Sequence, residues 1–342
     1  MEIIDPTRYL GWDELLLSTP GYSFFHSSAW ARVLAESYGY TPPYFAVFED
    51  GKLRALVPLM EVNSILTGKR GVSLPFTDYC EPIVDEGIRF QDLLDHIIDY
   101  GKKRGWKYVE LRGGQKLLPS TLTSATYLGH ILDLAGSSEK NFSTFRKGTK
   151  SAIKKAEKEQ VKIKISTSND SLNEFYKLNC STRKSHGLPP QPLGFFKDIH
   201  QHILKAGLGI TLLAFHNGVC IAGAVFFHFG DKAIYKYGAS KQEYQILRAN
   251  NLIIWNSIKY YSEKGCKKFC FGRTELENEG LRIFKTGWGT EEHNINYYKY
   301  DLKQASFVNN PEGVSKFQNI IIGKTPIPLL KIIGSLAYRH MG

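Results

Sequence analysis

Two short strings decide the fold: Lys103-Arg-Gly-Trp-Lys-Tyr-Val-Glu-Leu111 and Glu263-Lys-Gly-Cys-Lys-Lys-Phe-Cys-Phe271. In each, a glycine stops a helix and an apolar run starts a strand almost at once. Before the first, Leu93, Leu94, Ile97 and Ile98 form the apolar stripe of a helix over 91–103. Before the second, Leu252, Ile253, Trp255 and Ile258 line a helix over 250–264. Each half also begins with a hairpin. Tyr44–Phe48 and Leu53–Met60 flank Asp50-Gly51, while Ile210–Phe215 and Val219–Phe229 flank Asn217-Gly218. In the second half a third strand, Ala233–Tyr237, follows the Gly230-Asp231 turn. Hairpin, helix and strand thus recur in the same order, which predicts an α/β (α+β) chain with a duplicated domain.

The chain has 342 residues, enough for two ordinary domains. With 42% hydrophobic and 23% charged residues it has the composition of a folded globular protein. Its formal net charge of +11 points to an anionic partner. The opening MEIIDPTRYLGW has neither the basic nor the apolar region of a secretory signal, and the longest apolar run, Val219–Phe229, reads as a buried strand. Five scattered cysteines, an odd number, predict a reduced, cytoplasmic chain. Cys266 and Cys270 lie four strand steps apart, roughly 13 Å, with no second pair nearby, so they are expected to be structural and no metal is expected. Walker, HExxH, GxSxG and complete GxGxxG motifs are all missing from the sequence. P-loop NTPases, zinc proteases, α/β-hydrolases and dinucleotide oxidoreductases lose their main support.

Between the halves, Arg146 to Lys164 carries a net charge of +6 in one basic segment. Ala152, Ile153 and Ala156 give it an inward helical face, with Arg146, Lys150 and Lys154 among its cations. Such a run is either a solvated face or a phosphate-binding element at a domain join.

Four strings of the second half resemble, in order, the signature of Fem-type (FemABX) peptidyltransferases. They are Tyr237-Gly-Ala-Ser240, Asn250-Asn-Leu-Ile-Ile-Trp255, Phe271-Gly-Arg-Thr274 and Gly280-Leu-Arg-Ile-Phe-Lys-Thr-Gly-Trp-Gly289. Ser23–Trp30 and Leu74–Tyr79 are similar to the first domain of the same group. The resemblance implies two tandem acetyltransferase-like (GNAT) domains, each a mixed twisted sheet flanked by helices. On that basis residues 1–140 form the first domain, 141–302 the second, and 303–342 pack back on the first. It also implies an aminoacyl or acyl transferase, moving its group from a phosphate-bearing donor to an amine of a cell-envelope precursor or polysaccharide, such as a peptidoglycan precursor or an exopolysaccharide.

Phe284-Lys285 matches the pair that places the donor's terminal phosphate in the family, which makes both residues catalytic candidates. Lys285 is expected to be an exposed cation, replaceable without cost to folding, and Gly280, Gly287 and Gly289 are expected to let the backbone approach the ligand. Arg273, Tyr237, Asn250, Arg146, Lys150, Lys154 and Asp78 complete the expected substrate-binding set. Asp78, Glu275 and His228 are the candidate bases, chosen by position. The chain departs from the family at Leu34 and Gln191, neutral where bridge-forming enzymes align basic residues, and at Cys270, where relatives have an acid.

The loop from Ser240 to Ala249 contains no glycine, so a backbone pyrophosphate cradle is not expected and Lys241 and Arg248 would hold phosphate by their side chains. Aminoacyl-tRNA is therefore the favoured donor over acyl-CoA, and no further cofactor is implied. A CoA-dependent N-acetyltransferase or N-acyltransferase, and a non-catalytic tRNA- or envelope-binding protein on the same scaffold, are the alternatives. The apolar segment 324–342, with Lys331, Arg339 and His340, either packs on the first domain or forms an interfacial helix at the inner face of the membrane. A monomer is expected.

Overall fold

The computed structural model describes residues 1–134, 136–309 and 325–342. The chain opens with β1 (Glu2–Ile4), α1 (Trp12–Leu17), α2 (Ser28–Tyr38), β2 (Tyr44–Glu49), β3 (Lys52–Pro58), β4 (Met60–Ser64), β5 (Gly68–Val72), β6 (Ile83–Val84), α3 (Phe90–Arg104) and β7 (Tyr108–Arg112). Next come β8 (Ala125–Asp133), α4 (Ser138–Thr144), α5 (Lys147–Lys158), β9 (Lys162–Ser166), α6 (Asn169–Ser185), α7 (Leu193–Ile199), β10 (Gly209–His216), β11 (Val219–Phe229) and β12 (Lys232–Ser240). The remaining described elements are α8 (Ala249–Glu263), β13 (Lys268–Glu275), α9 (Glu279–Thr286), β14 (Glu291–Asp301), β15 (Ser306–Phe307) and α10 (Ile327–Ala337).

These elements form two compact units. The first comprises Met1–Tyr127, residues 294–309 and Leu336–Gly342; the second comprises Leu128–His293 and residues 325–335. The chain changes unit inside β8 and again inside β14. The limits at 140 and 302 inferred from sequence fall a little C-terminal to these crossings.

In the first unit, β2 pairs antiparallel with β1 and β3, β4 pairs antiparallel with β5, and α3 carries the chain to β7, parallel to β5. The single strand expected over 53–60 is interrupted at Leu59, so β3 serves one pairing and β4 another. Phe45, Leu93, Leu94, Ile97, Trp106, Val109 and Leu111 share one core. Gly71 and Gly101 are small because the Trp106 ring fills the space a Cβ would need. The indole Nε1 donates to the buried Glu61 carboxylate at 2.6 Å, and Arg104 donates to it at 2.9 and 2.6 Å. That pairing with Arg104 holds the Glu61 carboxyl below its ordinary range despite burial.

The second unit has the strand order β8-β13-β12-β11-β10-β9. Strands β9 to β12 are antiparallel, and α8 is the crossover to β13, which runs parallel to β12. As the sequence predicts, β11 is buried along its length apart from Val219. Ile153 and Ala156 of α5 enter the same core as Leu252, Ile253, Ile258 and Tyr261 of α8. The basic segment is therefore a docked helix with its lysines outside.

Both units follow one path: antiparallel strands, a helix, then a parallel strand. The turn signals act as expected. Asp50-Gly51 and Asn217-Gly218 take positive φ at both residues (50° and 72°, 48° and 77°), the geometry of the tightest hairpin turn. Gly105 and Gly265 take φ of 72° and 81° where α3 and α8 stop. All five cysteines are buried thiols outside any disulfide, and no cluster able to hold a metal occurs among the described residues. Of the C-terminal segment expected on the first domain, residues 336–342 group with the first unit and residues 325–335 with the second. Arg70 donates to the carbonyls of Gly342 (2.7 Å) and His340 (2.8 Å), and the Tyr40 hydroxyl donates to Tyr338 at 3.2 Å. The rest of the tail up to residue 324 lies outside the described residues from 310 onward.

Candidate functional site

In the second unit, β12 ends at Ser240 and the chain enters a 3-10 turn, Gln242–Leu247, before α8 begins. Arg248 makes the corner in the left-handed region (φ 58°), a conformation that disfavours side-chain-bearing residues. No acidic residue occupies the first turn of α8 and no side chain caps it. The positive end of a fifteen-residue helix therefore meets the cations Lys241 and Arg248. A pocket of about 150 Å³ opens here, lined among others by Ser240, Lys241, Arg248, Asn250 and Phe284.

A second pocket of about 490 Å³ shares Arg248, Asn251 and Phe284 with the first, and adds Arg146, Thr149, Lys155, Ile283 and Gly287. Its walls are held by close packing between α5 and the end of α9. The Arg146 amide donates to Gly287 O at 2.9 Å, and its guanidinium to the Thr286 hydroxyl at 3.3 Å. A Cβ on Gly287 would sit 2.6 Å from Thr149 Oγ1, and one on Gly289 2.9 Å from Thr144 Oγ1. Gly280 faces open space, its nearest neighbour the Asn278 side chain. The space a side chain at Gly287 or Gly289 would take is filled by threonine, where the sequence reading expected ligand. Trp288, fully buried, packs edge-on against Phe145 and Phe284 beneath them. Across both pockets the described lining residues include Lys241, Arg248, Arg146 and Lys155 and no carboxylate or imidazole.

Lys285 also departs from expectation. It lies in the last turn of α9, 3% exposed, and its Nζ donates to Arg273 O at 2.7 Å and to Gly272 O at 3.2 Å. Gly272, at φ 70° inside β13, bends the strand in a way that glycine tolerates and other residues resist. The expected exposed cation is thus a buried one, held inward by the two carbonyls, while Arg282 on the same short helix pairs at the surface with Glu292 at 2.7 Å.

The other expected residues divide. Phe284, Asn250 and Arg146 line the pockets, and Asn250 Nδ2 donates to Ser240 Oγ at 3.3 Å. Lys150 folds back onto α4, donating to Ser143 O at 2.7 Å over the Phe142 ring, and Lys154 faces solvent. Tyr237 packs among Phe195, Phe196 and Phe227. Arg273 is half-buried and offers its carbonyl to Lys285. Asp78 belongs to the first unit, where its carbonyl accepts the Tyr297 hydroxyl at 2.6 Å. Leu34 is fully buried in α2 and Gln191 is also buried, so both are packing positions. Cys270 lies in β13 with its thiol 3.3 Å from the Gly272 amide.

Of the candidate bases, Glu275 is exposed at the end of β13, and burial pushes His228 down to about 4. Sequence reasoning missed Lys155 as a lining residue, though helical spacing from Ala152 places both on one side of α5. It also missed His130, fully buried, whose ring nitrogens have no hydrogen-bond partner among the described residues. Burial, then the Lys285 charge, hold that imidazole near 4, so it is neutral at pH 7.

Residues 143–293 match the sequence profile of the acetyltransferase (GNAT) domain. The crystal structure of FemX superposes with a TM-score of 0.72 at 16% identity, covering 89% of this chain and 98% of that one. A tandem GNAT protein from the clavulanic acid biosynthesis pathway superposes with a TM-score of 0.53 at 10% identity, covering 85% and 94%. The fold is thus that of the tandem GNAT proteins. In sequence, the chain is 36% identical over 104 residues to the lipid II:glycine glycyltransferase of Staphylococcus haemolyticus (strain JCSC1435), a match of 28% of this chain and 25% of that protein. The chain spans about a quarter of the length of the curated relatives it matches. Its second unit carries the GNAT-domain match, and its fold is shared with FemX.

Proposed function

We propose that the protein is an aminoacyl or acyl transferase that takes its group from a phosphate-bearing donor, aminoacyl-tRNA ahead of acyl-CoA, and passes it to an amine of a cell-envelope precursor or polysaccharide. One observation carries the reading: adjoining pockets at the start of α8 lined by four cations and no described carboxylate. Such a site holds phosphate at the helix terminus, with Lys241 and Arg248 as its charges and Phe284 as the apolar wall between the two spaces. The similarity to glycyltransferases named for lipid II supports a donor ester and an amine acceptor. In the transfer, the acceptor nitrogen attacks the ester carbonyl, the ribose hydroxyl leaves and one amine proton is lost. The pockets supply orientation and positive potential for this, without a base of their own.

Lys285 serves this site by position. Bound to the carbonyls of Gly272 and Arg273, it fixes the end of β13 and the backbone that carries Arg273; reaching a donor phosphate would require it to leave both. A CoA donor is the second reading, favoured by the pocket's place between β12 and α8, where the GNAT fold offers a helix N-terminus to a pyrophosphate. In the same reading the protein acts as a cytoplasmic monomer that meets its acceptor at the membrane's inner face; no described helix is long and apolar enough to cross a membrane. Thermal-shift titration with aminoacyl-tRNA, acyl-CoA and nucleotide-linked cell-wall precursors, followed by transfer assays with whichever donor binds, tests it. Stabilisation by aminoacyl-tRNA and labelled product on an amine acceptor are expected. Failure of both donors to bind would overturn the reading.

A further inference from the structure

The larger of the two pockets at the start of α8 offers more than a phosphate needs. Its volume, about 490 Å³, lies in the range of sites that enclose a whole small molecule. One side is apolar, built from Ile283 and Phe284 of α9 and Ala152 of α5. Ile283 is 58% exposed, so much of its surface is left for a ligand to cover. The rest of the lining includes the polar side chains Thr149 and Asn251 and the cations Arg146, Lys155 and Arg248. All of these residues belong to the second unit.

Asn251 is the unusual member of this set. It lies in the first turn of α8, half-buried, and lines both pockets. Its neighbour Asn250 donates to Ser240 Oγ at 3.3 Å, whereas the Asn251 carboxamide makes no hydrogen bond to any described residue. A carboxamide sets an acceptor beside a pair of donors, and protein interiors rarely leave such a group unused. Thr149 repeats the pattern: it is 9% exposed, and its hydroxyl is bonded to no described residue. Hydrogen-bonding groups without a protein partner thus border a space that has an apolar side and three cations.

We propose that this pocket is an adenosine subsite, in which Asn251 pairs with the edge of the adenine base and Ile283 and Phe284 cover its face. Adenine carries an exocyclic amine next to the acceptor N7, the complement of a carboxamide, which accepts from the one and donates to the other. Aromatic and apolar side chains take the flat face of a base, and the guanidinium and ammonium groups of the pocket pair with its phosphates. The inference rests on the donor reading above and adds which part of the donor is recognised. Aminoacyl-tRNA bears its group on a terminal adenosine, and coenzyme A has an adenosine beside its phosphates, so one subsite serves either. The uracil of a nucleotide-linked acceptor is the poorer occupant, because a single ring covers less of Ile283 and Phe284.

The full chain is titrated calorimetrically with AMP, UMP and inorganic phosphate. AMP is expected to bind about tenfold tighter than UMP, and tighter than phosphate. Asn251→Leu keeps the size of the side chain and should abolish the preference for AMP. Phosphate binding and melting temperature should stay unchanged in that variant, since the carboxamide has no protein partner to lose. Ile283→Ser should weaken AMP and UMP and spare inorganic phosphate. Displacement of AMP by a cytidylyl-adenosine dinucleotide, by coenzyme A or by both supports the subsite and identifies the source of the adenosine. Displacement by neither would overturn it, as would equal affinity for AMP and UMP or an undiminished preference in Asn251→Leu. Any of these results alongside bound aminoacyl-tRNA leaves the donor reading standing, whereas preferred AMP with neither donor bound overturns the donor reading alone.

Discussion

The Lys285 ammonium lies 2.7 Å from the carbonyl oxygen of Arg273, and the side chain that carries it is 3% exposed. A lysine in such a place is part of the fold. Its charge is compensated by backbone dipoles at the bend of β13, so removing it strands two carbonyls. Lys285→Met, which keeps the apolar stem, should cost about 1.5–3 kcal/mol, and Lys285→Ala more. Denaturant midpoints measure both. Wild-type stability in Lys285→Met would show that the ammonium is not held as described.

Arg248 offers the opposite combination. It is exposed, strained at φ 58°, and lines both pockets. Arg248→Gly should relieve the left-handed corner, keeping or raising the melting temperature by the equivalent of about 0.5–1 kcal/mol. It should also weaken donor binding by about tenfold. Loss of both stability and binding would assign Arg248 to the fold instead.

Gly287 tests the wall between α5 and α9. Gly287→Ala should cost about 1–3 kcal/mol through its collision with Thr149 Oγ1. Adding Thr149→Ala removes that oxygen and should recover part of the loss. The recovery is read as a double-mutant coupling energy. Additive losses would mean the two side chains do not meet.

Lys155 and Lys154 separate the two donors. Lys155 lines the larger pocket and Lys154 faces solvent one residue away. A compact donor such as acyl-CoA should respond to Lys155→Glu alone. A long RNA should respond to both, with a shallower dependence of affinity on salt in each variant. Binding isotherms at several salt concentrations decide the matter.

His130 and His228 give the fold a pH dependence. Burial holds each near 4 against an ordinary 6.5, so both are neutral in the folded chain at pH 7. Between those values the unfolded chain binds more protons, and stability therefore falls as pH drops from about 6.5 towards 4. The slope is at most about 1.4 kcal/mol per pH unit for each histidine. His130→Gln should flatten the slope in denaturant melts at pH 7.5, 6 and 5. An unchanged slope would remove His130 from the account.

The sequence by itself determined the two hairpins, the helices that follow them and the strands after those helices. Asp50-Gly51 and Asn217-Gly218 specify hairpins, and Gly105 and Gly265 specify helix ends, because each sits at a positive φ that glycine, and to a lesser degree Asp or Asn, adopts cheaply. The apolar stripes of α3, α5 and α8 were legible for the same local reason, a period that points one face inward. The site was legible only as a neighbourhood: Arg248, Lys241, Asn250, Arg146 and Phe284 were readable as candidates, but not that the first four converge on pockets divided by the fifth. Tertiary structure alone decided where Lys285 points, because a charged residue in a short helix can face either side and only the carbonyls freed by the bend at Gly272 hold it inward. It also decided that Gly287 and Gly289 serve packing. A glycine's empty volume carries no sign of its occupant until Thr149 and Thr144 are brought there by elements distant in the chain.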